Sequence, residues 1–194
     1  MKLRKTLSIA FMMAPVALVS VENREFRINF LRQITKSKDP QVVKSSFYRR
    51  VMTTLSCGDC DYIPKVDGAG ECFGEAGQRI QLMHNGIKVI DGGYYSAQDP
   101  WMTNIIRGLR GHHEPQEERA FYEMLKYVSE DAVMIELGAY WSYYSLWFLH
   151  SFPNRRAILV EPMTSRLKVG QRNFELNNER VTSFRHLSVT KRSD

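Results

Sequence analysis

The segment Glu136–Ser142 constrains the fold of this chain more than any other stretch. An apolar run at residues 132–135 precedes it, and an aromatic, helix-like segment at residues 143–149 follows it. A buried strand that ends in an acid, followed by a glycine turn and a helix, is the arrangement at which α/β sheets bind nucleotides. The sequence therefore predicts a pocket at the carboxyl end of this strand.

A second apolar run, residues 157–160, also ends in an acid, Glu161. Glu161 follows Glu136 by about 25 residues, close to the spacing at which an acid binds ribose hydroxyls in nucleotide-binding folds. The carboxyl ends of parallel strands meet at one edge of a sheet. We therefore expect Glu136 and Glu161 to bind a ligand that carries a ribose.

The glycine spacing indicates which ribose ligand fits. A dinucleotide fold requires G-x-G-x-x-G, because the second glycine lets the pyrophosphate approach the backbone. After Gly138 the corresponding positions are Tyr140 and Tyr143, so a nicotinamide-dependent oxidoreductase is the weaker alternative. S-adenosylmethionine has no pyrophosphate, and its sulfonium charge tolerates aromatic rings such as Tyr140 and Trp141, which fit either a lid or the core. The predicted cofactor-binding residues are Glu136, Gly138, Ala139, Tyr140, Ser142 and Glu161.

Three short motifs carry a family resemblance. They are Glu136-x-Gly138-Ala139-x-x-Ser142-Tyr143-Tyr144-Ser145, Val160-Glu161-Pro162 and Asn173-Phe174-x-Leu176-Asn177. Together they resemble the FkbM-type S-adenosylmethionine-dependent methyltransferases, over residues 111–190. Glu136 stands where that family more often has Asp, and Ser142 stands where its loop usually ends in glycine. Asn173 and Asn177 also fit helix-end caps.

The resemblance implies a Rossmann-like methyltransferase fold with a parallel sheet, of which this sequence contains only the first three core strands. It implies transfer of a methyl group from S-adenosylmethionine to an oxygen of a sugar or another small molecule, helped by positioning in a dry pocket. It assigns no catalytic base to this chain. The apparent early stop leaves a second interpretation open, a non-catalytic remnant that binds the cofactor or a partner.

The sequence predicts three segments. They are a basic leader and helical segment at residues 1–56, an extension at residues 57–110, and the N-terminal part of a Rossmann-like domain at residues 111–194. The extension begins as a glycine-rich loop to residue 77 and continues into a β-hairpin, since Asn85-Gly86 separates two β-prone runs and favours a type I′ turn. Beyond Pro115 the pattern predicts a helix, strand 132–137, helix 143–151, strand 157–161, helix 163–177 and strand 181–189.

The positive charge of the chain is concentrated in its leader. Residues 1–50 carry a net charge of +8 and the remainder −2, so the predicted domain is not suited to bind nucleic acid. Lys2, Arg4 and Lys5 precede an apolar stretch at residues 7–21, which fits either a helix on the domain surface or a signal or membrane anchor. An intracellular cofactor favours the cytoplasm.

The cysteines and histidines also allow a metal interpretation. One C-x-x-C pair and a single cysteine are present, at Cys57, Cys60 and Cys72. A zinc site would need a further ligand from the histidines His84, His112 or His113. Adjacent histidines point to different faces, and no ligand follows them at helical spacing. The sequence therefore favours reduced thiols, no metal, and a helix-entry loop at His112-His113 without chemistry of its own.

Overall fold

The computed structural model describes residues 19–33, 46–75, 77–92, 101–179 and 183–185. These residues form, in chain order, α1 over residues 19–33, α2 Ser46–Ser56, β1 Cys72–Glu75, β2 Gln78–Leu82, β3 Lys88–Ile90, α3 Trp101–Gly108, α4 Pro115–Leu125, β4 Val133–Leu137, α5 Tyr143–Ser151, β5 Arg156–Val160, α6 Thr164–Leu176 and β6 Ser183–Arg185. The described part of the chain is therefore a mixed α/β structure.

Two three-stranded sheets are present among the described residues. One is antiparallel, in the order β1-β2-β3, and the other is parallel, in the order β4-β5-β6. β4 and β5 pair from Val133 opposite Arg156 to Leu137 opposite Val160. The alternation of strands and helices predicted parallel pairing, and this prediction is confirmed.

The chain divides into two compact units. The first comprises Met1–Glu71, Met83–Gly86 and Trp101–Met124, and the second comprises Cys72–Leu82, Ile87–Pro100 and Leu125–Asp194. In the described part of the first unit, α2 packs against α3, and Leu55 and Ile105 lie in the core at no more than 1% exposure.

A buried ion pair joins α1 to the chain that follows α2. The guanidinium of Arg27 donates to both carboxylate oxygens of Asp61, at 3.1 and 2.7 Å. Its remaining amino group donates to Leu55 O at 3.0 Å and Ser56 O at 3.3 Å, at the carboxyl end of α2. Cationic donors at that end satisfy carbonyls that the helix leaves unpaired. Arg27 is 7% exposed, so four hydrogen bonds compensate one buried charge.

In the described part of the second unit, α5 is buried on nearly every side. Its buried apolar residues are Tyr143, Leu146, Trp147, Phe148 and Leu149. β4 is covered on one face only, because Ile135 and Leu137 are 61% and 76% exposed. Parallel sheets are usually covered on both faces. The sequence predicted a buried strand here, but only one face of β4 is covered.

The predicted hairpin is present, but the prediction that a type I′ turn joins its strands was wrong. β2 and β3 are joined by residues 83–87, and the N–H of Gly86 donates to Met83 O at 3.1 Å. Gly86 has φ 89°, whereas Asn85 does not have the positive φ that type I′ requires. His84 explains the difference, since its N–H donates to Gly111 O at 3.0 Å and its carbonyl accepts from Val66 N at 2.8 Å.

β1 also departs from the prediction, since the sequence read as loop up to residue 77. Cys72–Glu75 pairs antiparallel with β2, from Cys72 opposite Gln81 to Glu75 opposite Gln78.

Among the helices of the described residues, none has the length and apolar content needed to cross a membrane. The question of a signal or anchor concerns residues 1–21, of which residues 1–18 lie outside the described residues.

Candidate functional site

The Gly138 loop, residues 138–142, connects β4 to α5. The N–H groups of Gly138 and Ala139 both donate to Val160 O, at 2.8 and 3.1 Å, which fixes the loop to the end of β5. Gly138, Tyr140 and Ser142 have φ values of 78°, 37° and 63°. A left-handed conformation is unfavourable for Tyr and Ser, and such strain often marks ligand-binding sites.

Gly138 leaves open space above the loop. A Cβ placed on it would meet no atom within 4 Å, so packing does not explain the glycine. Its φ of 78° does explain it, because only glycine adopts this region freely. A ligand could therefore approach the backbone here without meeting a side chain.

Glu136 turns toward the start of α5. One carboxylate oxygen, Oε2, accepts hydrogen bonds from the Ser145 hydroxyl and from Ser145 N, the latter at 3.1 Å. Burial raises the pKa of Glu136 to about 7, and the hydrogen bonds from Ser145 offset only part of this effect. A carboxyl group with this pKa changes its charge near neutral pH.

Glu161 lies directly after β5 and connects two backbone segments. Its Oε2 accepts from Tyr140 N at 3.1 Å and its Oε1 accepts from Met163 N at 2.9 Å. The side chain is 2% exposed. The carboxylate therefore holds the Gly138 loop beside the start of α6, and neither oxygen faces open solvent.

The remaining predicted residues differ in burial. Ala139 and Ser142 are at most 1% exposed, while Tyr140 is half-buried with the Arg166 guanidinium 4.7 Å from its ring centroid. Trp141 is 6% exposed and its ring lies 5.3 Å from that of Tyr143, which favours the core over a lid. The six predicted cofactor-binding residues thus all lie at the carboxyl ends of β4 and β5, and their binding role stays a prediction.

α6 packs directly on the Gly138 loop. A Cβ on Gly170 would lie 2.8 Å from Tyr140 O, closer than real contacts allow, so this position requires glycine. One turn further along, Asn173 Nδ2 donates to Trp141 O at 2.9 Å. The loop is therefore held by α6 as well as by β5.

Asn173 and Asn177 also bind the edge strand β3. Asn173 Oδ1 accepts from Ile90 N at 2.9 Å, and Asn177 Oδ1 accepts from Lys88 N at 2.9 Å. Asn177 Nδ2 donates to Lys88 O at 2.7 Å. Their interpretation as helix-end caps was thus incomplete, although Asn178 does end the helix in a left-handed conformation, with φ 53°.

The first unit contains a second group of chemically active side chains, the histidine cluster. It consists of Cys60, His84, His112, His113 and Glu118, each at most 3% exposed. Glu118 Oε1 accepts from His113 N at 2.8 Å and lies 2.5 Å from His113 Nδ1, while Oε2 contacts His112 Nδ1. The His84 ring stacks on His112 at a centroid distance of 4.0 Å.

Burial and charge oppose each other in this cluster. Burial alone would raise the pKa of Glu118, but His112 and His113 hold it well below its ordinary value. Burial alone would lower the pKa of His113, but Glu118 and Glu114 raise it to about 9. Burial dominates at His112 and His84, whose pKa values are lowered. At neutral pH the cluster therefore holds a carboxylate, one imidazolium and two neutral imidazoles.

The sequence allowed a zinc site built from the cysteines and histidines, but this site was not favoured, and Glu118 was not among its ligands. Cys60 was expected to be one of three reduced thiols, and His112-His113 to be a helix-entry loop without chemistry of its own. No disulfide joins the three cysteines, as expected. However, the Cys60 thiol donates to Pro115 O at 3.1 Å, across 55 residues of chain. The only local signal was the position of Glu118 one helical turn after Glu114, where its side chain can reach back to the loop.

In comparisons with protein-family models, curated proteins and solved structures, the chain matches none of them significantly. Its function is therefore inferred from the geometry of two places. One is the Gly138 loop with its two acids, in the second unit. The other is the histidine cluster, in the first.

Proposed function

We propose that this chain is a methyltransferase that binds S-adenosylmethionine over the Gly138 loop and methylates an oxygen of a sugar or another small molecule. The observation that carries the proposal is the loop itself, a positive-φ glycine under open space between two strands, with one carboxylate near the end of β4 and another directly after β5. The motifs that resemble the FkbM-type family lie on this loop and its flanks, at the end of β5, and on α6, which packs on the loop. A Rossmann-like fold is part of the proposal, supported by the parallel order β4-β5-β6.

The amino-acid portion of the cofactor would lie over Gly138, where no side chain blocks the backbone. The ribose hydroxyls would donate to Glu161. A carboxylate has about four lone-pair sites, and backbone N–H groups use two of them here. Because Glu161 is 2% exposed, binding requires the Tyr140 segment of the loop to move outward. The strained φ of Tyr140, 37°, makes this segment the natural place for such a movement.

A second candidate function is cofactor or partner binding without catalysis. The burial of Glu161 favours the partner-binding form of this candidate, because both oxygens of this carboxylate already accept backbone hydrogen bonds. In that case Glu136 and Glu161 serve only to hold the loop in place, and no methyl transfer takes place. The two candidates differ in turnover, while binding of the cofactor is common to the enzyme and to a non-catalytic cofactor-binding protein.

Calorimetric titration of the full chain with S-adenosylmethionine and with S-adenosylhomocysteine tests binding. We expect Glu161→Ala to weaken binding by about 1–3 kcal/mol, as expected for lost charge-assisted hydrogen bonds, and Glu161→Gln to weaken it less. Glu175→Gln, an exposed acid on α6, is the matched control and should bind like the parent. Absence of heat and of a thermal shift at millimolar ligand, in folded protein, would rule out the proposal.

Turnover is measured as release of S-adenosylhomocysteine in the presence of a panel of sugars and hydroxylated metabolites. Release that depends on one acceptor class supports the methyltransferase. Binding without release for any acceptor supports the non-catalytic candidate. Parental affinity in both Glu161 variants would show that this acid is not a ribose ligand.

A further inference from the structure

Three side chains of the histidine cluster converge as a set of metal ligands. Cys60 offers a sulfur, His112 a ring nitrogen and Glu118 a carboxylate oxygen, and these atoms all lie within 4.8 Å of one another. Cys60 is 3% exposed, and His112 and Glu118 are fully buried. The grouping is therefore built into the interior of the first unit, unlike the acidic clusters that form by chance on surfaces.

The chain fixes each of the three positions independently. Lys65 Nζ donates to Cys60 O at 2.7 Å and to Ile63 O at 2.9 Å, which closes the turn that carries the thiol. Glu118 is anchored through Oε1, which accepts from His113 N at 2.8 Å. His112 follows Gly111, whose N–H donates to Ile106 O at 2.7 Å and whose carbonyl accepts from His84 N at 3.0 Å. Preorganisation of this kind reduces the entropy lost when an ion binds.

His112 supplies a second, independent indication. Its Nδ1 contacts Glu118 Oε2, whereas its Nε2 is buried and has no hydrogen-bond partner among the described residues. An unpaired polar atom in the interior is unfavourable and needs an explanation. The two ring nitrogens face opposite ways, so an ion at His112 Nε2 is also coordinated by Glu118 only when Oε2 leaves Nδ1 and turns to the ion on binding.

Charge and donor chemistry select the ion. A thiolate and a carboxylate together balance the charge of a divalent cation, and the His113 imidazolium is then balanced by Glu114. Sulfur, imidazole nitrogen and carboxylate oxygen are the donors that zinc accepts, at about 2.0–2.3 Å. Magnesium and calcium prefer oxygen donors throughout. His113 would keep its contact with Glu114, whose Oε2 lies 3.1 Å from His113 Nε2.

We propose that Cys60, His112 and Glu118 bind one zinc-class divalent cation. Three protein ligands leave one tetrahedral position for water or a further donor. On binding, the Cys60 thiol loses its proton to the solvent, and the sulfur–metal bond replaces the hydrogen bond from Sγ to Pro115 O. Because the ligands are buried, we expect removal of the ion by a chelator to be slow.

Cobalt titration of the chelator-treated full chain tests the site. We expect one equivalent of Co²⁺ to produce a thiolate-to-cobalt charge-transfer band and the intense visible bands of tetrahedral coordination, and one equivalent of Zn²⁺ to displace it. Cys60→Ser and His112→Gln should each remove equimolar binding. Cys57→Ser is the matched control, since its thiol hydrogen-bonds to Asp59 at 3.2 Å and is not one of the three ligands.

A variant without Cys60 could fail to fold, so a second arm retains it. In Cys57→Ser/Cys72→Ser the only remaining cysteine is Cys60, and the charge-transfer band and the one-to-one stoichiometry should both persist. Loss of the band in this variant would assign the metal to other thiols and overturn the ligand set. Failure of the parent to retain one equivalent of zinc or cobalt after gel filtration would overturn the site itself.

Discussion

Glu136 should make the stability of this chain depend on pH in a direction opposite to that of most carboxylates. Its pKa in the folded chain is about 7, against an ordinary value of 4.5, because burial disfavours the charged form. Between these two values the folded state holds a proton that the unfolded state has lost. The free energy of unfolding therefore decreases as the pH rises through this window, and the loss is complete above pH 7.

The size of the effect follows from the same two values. At about 1.4 kcal/mol per pH unit, the upper limit over this window is about 3.5 kcal/mol. Glu136 retains partial contact with solvent, which reduces the effect to about 2 kcal/mol. Glu136→Gln abolishes the titration and keeps an oxygen that accepts from Ser145. We expect this variant to gain about 2 kcal/mol on the parent between pH 5 and pH 8.

Urea unfolding of the parent and the variant at pH 5 and pH 8 measures this difference, and every other titrating group cancels in it. Ser145→Ala provides the control. The Ser145 hydrogen bonds favour the charged carboxylate, so losing the hydroxyl should steepen the pH dependence. In Glu136→Gln/Ser145→Ala the steepening should vanish. An equal difference between Glu136→Gln and the parent at both pH values would refute the reasoning.

Three further predictions concern stability and are checked by urea or thermal unfolding. Arg27→Ala should destabilise the chain by about 3–5 kcal/mol, because Asp61 is left as an uncompensated charge, and Arg27→Lys should cost less; equal losses would contradict the role of the bidentate pair. Gly111→Ala should cost more than Gly77→Ala, since both have positive φ but only a Cβ on Gly111 would collide with backbone, that of Met83 and His84; equal losses would mean that φ alone matters. Asn173→Ala should cost about 1–3 kcal/mol through lost buried hydrogen bonds, and a neutral result would show that water replaces them.

The elements of the second unit were predictable because their signals are local. The apolar run before Glu136 gave β4 to within one residue, observed as Val133–Leu137 against a predicted 132–137. The helix predicted at residues 163–177 is observed as Thr164–Leu176. Buried strands and helices of this kind are determined by runs and periods within a short window, which the sequence displays directly.

The errors arose where distant residues decide the local conformation. Asn85-Gly86 is a strong turn signal, yet the backbone of His84 hydrogen-bonds to Gly111 and Val66, and these contacts override the local preference. β1 contains Gly74 and follows a glycine-rich stretch, so its composition indicates a loop and only its pairing with β2 makes it a strand. Neither contact can be read from a window of a few residues.

The same limit applied to the candidate sites. The acids Glu136 and Glu161 were found because each follows an apolar run, but their hydrogen bonds to backbone and their burial depend on the folded loop. The grouping of Cys60 with Glu118 could not be predicted, since the two residues lie 58 positions apart and only the fold brings them together. The binding role of the six loop residues and the three predicted segments remain predictions.

The two asparagines of α6 give the hairpin an experimental use. β3 lies at the edge of its sheet, where the amides of Lys88 and Ile90 would ordinarily exchange with solvent deuterium quickly. Here both amides donate to α6, so their exchange is slow only while α6 is docked. Asn173 also donates to the carbonyl of Trp141 in the Gly138 loop. A ligand that moves the Gly138 loop and undocks α6 would therefore speed up exchange at these two hairpin amides. Their exchange rates thus report on the loop from positions outside it.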